Sequence, residues 1–244
     1  MRTAFNFLTI LPWFHHETSL PALGRAVGWF PLVGLAIGAL LAGFDWILSQ
    51  FLPAGPVAVL VLALWLVASG GIHFDGLLDS CDGLFGGKTA AQRLEIMRDH
   101  RVGAFAVAGG GLMLLLKAST LAAMPQRWQA LLLAPTLGRW SIALAIVRFP
   151  YARKQGLGRA MKDYARNSDA LLATSITLLA AWGVAGLNGM MALVGAGLLL
   201  WLTATFIQRR IPGLTGDSYG ALNELIEALT LLILLATLTG GDYF

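Results

Sequence analysis

The chain has 244 residues, of which 57% are hydrophobic and only 12% charged, with a formal net charge of +4. A mean hydropathy of +0.71 excludes an ordinary soluble domain, and in so apolar a chain the basic excess reads as a topology signal, not a nucleic-acid footprint. One cysteine, Cys81, excludes an intrachain disulfide; it reads as a small residue on a packed helix.

A helix needs about 20 mostly apolar residues to cross a bilayer. Residues 1–14 are apolar but too few, and His15, His16 and Glu17 follow without a convincing signal-peptide cleavage site. That segment reads as an interfacial or re-entrant start. Spans are then predicted at 27–48, 57–72, 102–121, 128–147, 171–187, 190–207 and 222–238. Asp45, near the far end of the first, reads as interfacial. No linker, internal repeat or composition shift divides the chain. The fold class is therefore all-α, a polytopic integral membrane protein of about six or seven transmembrane helices in one domain over 1–244.

Placing 73–101 in the cytoplasm puts the N-terminus inside and the C-terminus outside. Of the 17 Lys and Arg, all but Lys117, Arg127 and Arg139 then fall in inside loops. That asymmetry follows the positive-inside rule without reference to any motif. It gathers three polar clusters, 73–101, 148–169 and 208–227, on one side.

The first cluster opens with HFDGLLDSCDG (73–83), three aspartates within a short stretch. If the second span continues as helix past Ile72, Asp75, Asp79 and Asp82 lie within roughly 60° of one another and form one stripe. Like charges so placed repel, more strongly near lipid, and a divalent cation is the simplest offset. All-oxygen ligands favour Mg²⁺, Mn²⁺ or Ca²⁺ over zinc. Next, Gln92 to Arg101 reads as a helix leading into the third span, with Glu95 and Asp99 four apart and Arg93, Arg98 and Arg101 between and beside them. Acids, metal and arginines together suit phosphoryl transfer: the metal neutralises a diphosphate and its leaving group, and arginines grip the non-bridging oxygens.

Arg139 lies inside the fourth span, where a charge needs a partner, either an acidic residue or a substrate phosphate. The loop 148–169 carries six basic residues. They read as an anchor beside anionic lipid or as a phosphate-binding patch. In GLTGDSYGALNELIE (213–227), Glu224 and Glu227 share a helix face, and Asp217 precedes them. This second acidic entrance either closes the same site or is a solvated helix start.

These segments carry a resemblance. GGIHFDGLLDSCDGLFGG (70–87), RLEIMRDHRVGAF (93–105), APTLGRW (134–140), PYARKQGLG (150–158) and GLTGDSYGALNELIE (213–227) resemble, in order, the cobalamin synthase family, the adenosylcobinamide-GDP ribazoletransferases. FNFLTILPW (5–13) and FPLVGLAIG (30–38) extend the likeness toward the N-terminus. The family usually has Thr-Arg before the proline where this chain has Thr9-Ile10-Leu11-Pro12, and serine is common where His100 stands.

The resemblance implies a reaction: α-ribazole or its 5′-phosphate attacks, through its ribose 3′-hydroxyl, the phosphorus bonded to cobinamide in adenosylcobinamide-GDP. GMP leaves and adenosylcobalamin or its 5′-phosphate forms. It also implies Mg²⁺, with Mn²⁺ second, and a multi-pass protein of the cytoplasmic (inner) membrane, embedded in the lipid bilayer. The chemistry parallels the CDP-alcohol phosphotransferases, whose DxxDG motif Asp79-x-x-Asp82-Gly83 resembles, although Asp75 is extra and the gap to Glu95 and Asp99 is shorter.

The expectation is therefore a site at the cytoplasmic face. Asp75, Asp79, Asp82 and Glu95 hold metal, and Asp99 or Asp82 takes the hydroxyl proton. Lys88, Arg93, Arg98 and Arg101 hold the diphosphate, with Arg139, Asp217 and Glu224 as further substrate-binding residues. No nucleic acid is expected as partner, and a homo-oligomer is left open. Two rival readings remain: a membrane phosphotransferase with a CDP-activated donor, and a cation transporter. The flanking arginines argue against a cation path.

Overall fold

A computed structural model describes residues 1–10 and 19–239. Among them there is no β-strand, and the elements in order are α1 (Arg2–Leu8), α2 (Leu20–Ala26), a 3₁₀ turn (Val27–Trp29), α3 (Phe30–Leu48), α4 (Ala54–Ala68) and α5 (Ile72–Gly86). They continue as α6 (Ala90–Ile96), α7 (Ala104–Ala123), α8 (Trp128–Arg148), α9 (Leu157–Tyr164), α10 (Asn167–Gln208) and α11 (Gly216–Thr239). Five helical segments are long and apolar enough to cross a membrane, or six when α4 and α5 count as one bent span. The all-α polytopic class is as expected, since only helices satisfy their own backbone inside lipid.

Helix α8 is the centre, with its whole run from Leu133 to Ala143 buried. Against it, α3 approaches through Gly34 and Gly38, where an added Cβ would meet the carbonyls of Pro135 and Leu131 at 2.3 and 2.5 Å. Pro135 has no N–H to donate to the Leu131 carbonyl. That orphaned carbonyl and the two small residues, four apart, meet at one contact. Small residues spaced in this way let backbones close up where lipid gives no hydrophobic drive to associate.

Two breaks shape the rest. The first lies between α4 and α5, which meet at 91°. Gly70 and Gly71 have φ of 64° and 67°, a region open to glycine and costly for other residues. The residues past Ile72 are helical, but not as a straight continuation of the second span. The helix stops at Ala68 and restarts, and Ile10 N–H donates to the freed Ala68 carbonyl at 3.2 Å. This contact gives α1 its place beside the break. The remainder of the N-terminal segment, 11–18, lies outside the described residues.

The second break is Gly186, with φ 53° and ψ −127° inside α10. There the chain doubles back, so that a Cβ on Gly189 would touch the Ala181 carbonyl. Trp140 confirms the fold-back by meeting Thr174 on one arm and Gly197 on the other. The arms 167–185 and 187–208 match the separate fifth and sixth spans of the sequence reading, and each has the length of one crossing.

The three polar clusters meet at one end of the bundle. Tyr151 and Leu214 form an isolated parallel bridge, with Ala152 N–H on the Leu214 carbonyl and Leu214 N–H on the Pro150 carbonyl, both at 2.8 Å. Arg93 donates to the Arg210 carbonyl at 3.3 Å, and Arg153 to the Met97 carbonyl at 3.4 Å. One bridge and two arginines thus join segments far apart in sequence. At the opposite end, Arg127 pairs with Asp45 at 2.6 Å.

Candidate active site

Helix α5 carries the acids. Its buried face, with His73, Gly76, Leu77 and Ser80, packs on α11 and α7. At Gly76 and Gly220 the helices nearly touch, with the Cα of each 3.1–3.2 Å from where a Cβ on the other would sit. This brings Asp217, at the start of α11, against the aspartate stripe. Asp75, Asp79 and Asp82 line one cavity of about 340 Å³, together with Arg98, Asp99, His100, Arg101 and Arg153. Asp79 lies within electrostatic reach of Asp75, Asp82, Asp217 and Arg153.

The acids differ in what holds them. The carboxylates of Asp75 and Asp79 have no hydrogen bond or ion pair among the described residues. Asp82 accepts at both oxygens, from Gly103 N–H at 2.6 Å and Ala106 N–H at 2.9 Å. It thereby caps the start of α7, supplying acceptors for backbone donors that a helix N-terminus leaves unpaired. Asp217 pairs with Arg153 at 2.7 Å and sits 3.3 Å from the Thr215 hydroxyl, which donates to it.

Asp99 is not on a helix with Glu95. Helix α6 opens on a Thr89–Gln92 capping box and ends at Ile96. The chain then turns, with Arg98 N–H on the Glu95 carbonyl and Asp99 N–H on the Ile96 carbonyl, each at 2.9 Å. Asp99 closes the next turn by accepting from Arg101 N–H at 3.1 Å and Arg101 Nε at 3.2 Å. These bonds, the backbone one first, hold its carboxyl below the usual carboxylate range. The turn splits the expected acidic pair. Asp99 faces the aspartates, whereas Glu95 lines a separate outer cavity.

Several expected contacts fall elsewhere. Arg139 is fully buried in the bundle, paired with Glu227, and does not reach the cavity. Glu224 and Glu227 both hold Lys117, at 2.5 and 2.6 Å, and Asn223 donates to Glu227 at 2.9 Å. Two cations and two carboxylates form a neutral network among α7, α8 and α11. Lys117 is thus buried within the bundle. Arg93 packs across Gly87 and Gly83 toward Arg210, and Lys88 is exposed away from the cavity. Of the six basic residues in the 148–169 loop, read as a lipid anchor or a phosphate-binding patch, Arg153 is the one that lines both cavities and pairs with Asp217.

Among the described residues, no three His, Cys, Asp or Glu side chains converge to enclose a metal ion. A protein cage is therefore not what the site offers. Mg²⁺, however, keeps several waters and is commonly held by one or two carboxylates plus substrate phosphate. Two unpartnered carboxylates one helical turn apart, Asp75 and Asp79, fit that mode. The charge balance agrees: the cavity lining has more aspartates than arginines, and a diphosphate would add negative charge.

The chain matches the family described as cobalamin-5-phosphate synthase over residues 1–235. It is 38% identical over 238 residues to an adenosylcobinamide-GDP ribazoletransferase of Desulforamulus reducens, covering 96% of this chain and 95% of the relative. Relatives of the same name from Roseiflexus sp. and Stutzerimonas stutzeri are 39% and 40% identical, covering 97% and 94% of this chain and 87% and 94% of their own. No solved structure matches. The chain belongs to the cobalamin-5-phosphate synthase family.

Proposed function

We propose that this member of the family carries out the transfer for which its relatives are named, a late step of cobalamin nucleotide-loop assembly. A ribose hydroxyl of α-ribazole or its 5′-phosphate attacks the cobinamide-bound phosphorus of adenosylcobinamide-GDP. The bond to the GMP oxygen breaks, GMP leaves, and adenosylcobalamin or its 5′-phosphate forms. The observation that carries this reading is the joining of α5, the 97–103 turn and Arg153 around one polar cavity of about 340 Å³.

Arg98, Arg101 and Arg153 face the space where a diphosphate would lie. Arg153 is held by Asp217 at 2.7 Å, so its guanidinium is oriented before substrate arrives. Asp75 and Asp79 would hold Mg²⁺, or Mn²⁺ in its place; when bound, the cation neutralises the diphosphate and the departing GMP. Asp79 is half-buried and unpartnered, and we assign it the proton of the attacking hydroxyl. Asp99, weakened as a base by Arg101, and Asp82, committed to capping α7, are poorer acceptors than first expected. Asp82 instead fixes the angle between α5 and α7.

The Lys and Arg distribution supports a cavity opening at the cytoplasmic face of the inner membrane, with lipid around the bundle. The test is GMP release and cobalamin formation by the detergent-solubilised protein, given adenosylcobinamide-GDP and α-ribazole 5′-phosphate with Mg²⁺ or excess EDTA. Product that forms with Mg²⁺ and vanishes with EDTA is expected. No product from folded protein supplied with lipid overturns the reading and makes CDP-activated donors the next test.

A further inference from the structure

Two cavities share a wall. The acidic one of about 340 Å³ and an outer one of about 670 Å³ are both lined by Arg98 and Arg153. Beyond those arginines the outer cavity presents Leu94 and Ala152 as apolar surface, with Glu95, Lys154 and Gln155 as polar groups. Glu95 is exposed, and its carboxylate has no hydrogen bond or ion pair among the described residues. It lines the outer cavity and not the acidic one.

We propose that the outer cavity is the nucleoside subsite of the donor, and that Glu95 selects guanine. This rests on the function proposed above. A diphosphate laid across Arg98 and Arg153 has its two ends on opposite sides of the shared wall. The reacting phosphorus belongs with the acids, so the nucleoside end falls in the outer cavity. A corrinoid is several times larger than a nucleoside and must lie across the open surface. The acceptor is a poor occupant, because a ribosylated benzimidazole has no pair of adjacent N–H donors to offer a carboxylate.

Guanine does have such a pair. Its ring N1–H and exocyclic amine point the same way, matched to the two oxygens of one carboxylate. Charge-assisted bonds of this bidentate kind are stronger and more directional than neutral ones. Adenine places a ring-nitrogen acceptor at that position, which a carboxylate repels. Hypoxanthine keeps N1–H but lacks the amine. A site that binds a polar group by hydrogen bonds rejects the analogue without it far better than an apolar pocket does. Leu94 and Ala152 would flank the base, with Lys154 near its ribose or phosphate.

The experiment measures binding of GMP, IMP and AMP to the solubilised full-length protein by calorimetry, for the native chain and for Glu95→Ala. The donor KM and the Mg²⁺ needed for half-maximal cobalamin formation are measured in parallel. The native chain should bind GMP about tenfold or more tightly over IMP and AMP. In Glu95→Ala that preference should disappear and donor KM should rise by about tenfold, with the Mg²⁺ requirement unmoved. Glu95→Gln, with one acceptor left, should fall between. A native chain that does not prefer GMP, or a Glu95→Ala variant that keeps the preference, overturns the inference. So does a variant that keeps the preference and needs more Mg²⁺, since Glu95 would then be a metal ligand. Absence of cobalamin formation by the native chain is a separate result, and it strikes the reaction itself.

Discussion

Replacing Lys117 with methionine tests whether the buried ion network is what holds α7, α8 and α11 together. Lys117 is 2% exposed and bridges Glu224 at 2.5 Å and Glu227 at 2.6 Å. Methionine fills most of the volume and removes the charge. Glu227 would retain Arg139, but Glu224 would be left as a buried carboxylate without a cation. Removing one partner of a buried pair costs about 3–5 kcal/mol, because the survivor stays desolvated. For a chain of this size that is a drop in melting temperature of about 10 °C. Thermal unfolding in detergent, followed by intrinsic tryptophan fluorescence, is the assay. The double variant Lys117→Met, Glu224→Gln should recover part of the loss, since it removes the stranded charge. A melting temperature within about 2 °C of the native value, or a double variant less stable than the single one, would refute the reasoning. The KM values of folded variant protein should be unchanged, because the network does not line the cavity.

Asp75→Asn and Asp79→Asn should each raise the Mg²⁺ needed for half-maximal activity by about tenfold or more, since each removes one of two carboxylate ligands, and Asp79→Asn should also lower kcat at saturating Mg²⁺ by about 100-fold or more, since it removes the proton acceptor; a metal titration of GMP release checks both. Asp82→Asn should instead lower the melting temperature, through loss of about 1–2 kcal/mol of capping at α7, and thermal unfolding separates it from the other two. Asp99→Asn should change kcat by less than about threefold, because a carboxylate held by Arg101 is a poor proton acceptor; a large kcat loss would restore it as the base. Gly186→Val should destabilise by about 1–3 kcal/mol, since φ 53° with ψ −127° is closed to a β-branched residue, and it should leave the donor KM unchanged.

Much of this architecture is legible in the chain. Hydropathy alone separates 171–187 from 190–207, although the two arms are helical almost without interruption, because Asn188 and the glycines lower the apolar signal where the chain turns. The aspartate stripe is legible because its spacing depends only on α5 being a helix. The break before it is less so: Gly70 and Gly71 stand within an apolar run, and a helix can continue through glycine at modest cost. The separation of Glu95 from Asp99 depends on a turn closed by Arg101, which the helical spacing conceals. Arg153 cannot be singled out among the six basic residues of its loop for a different reason. A loop rich in Lys and Arg suits a lipid anchor equally well, and only the pairing of Tyr151 with Leu214 delivers one of its arginines to the acids. Arg139 was correctly expected to need a partner, but the choice between Glu227 and a substrate phosphate is a tertiary fact.

The bend at Gly70–Gly71 explains why the acids can act as a group. Had α4 run straight on, residues from Asp75 to Asp82 would have been stacked along its axis over about 10 Å, at successive depths across the interface. Turned through 91°, the stripe lies across the direction of α4, and its members can share one depth. One cavity can then hold all three, and the 97–103 turn can reach them with Arg98 and Arg101. The same turn of the chain frees Gly76 to meet Gly220, which places Asp217 and, through it, Arg153 at the stripe. A bulkier residue at either glycine would push α11 away and separate that arginine from the acids. The chemistry therefore depends less on the count of carboxylates than on two glycines that bend α5 and two that let α11 close on it.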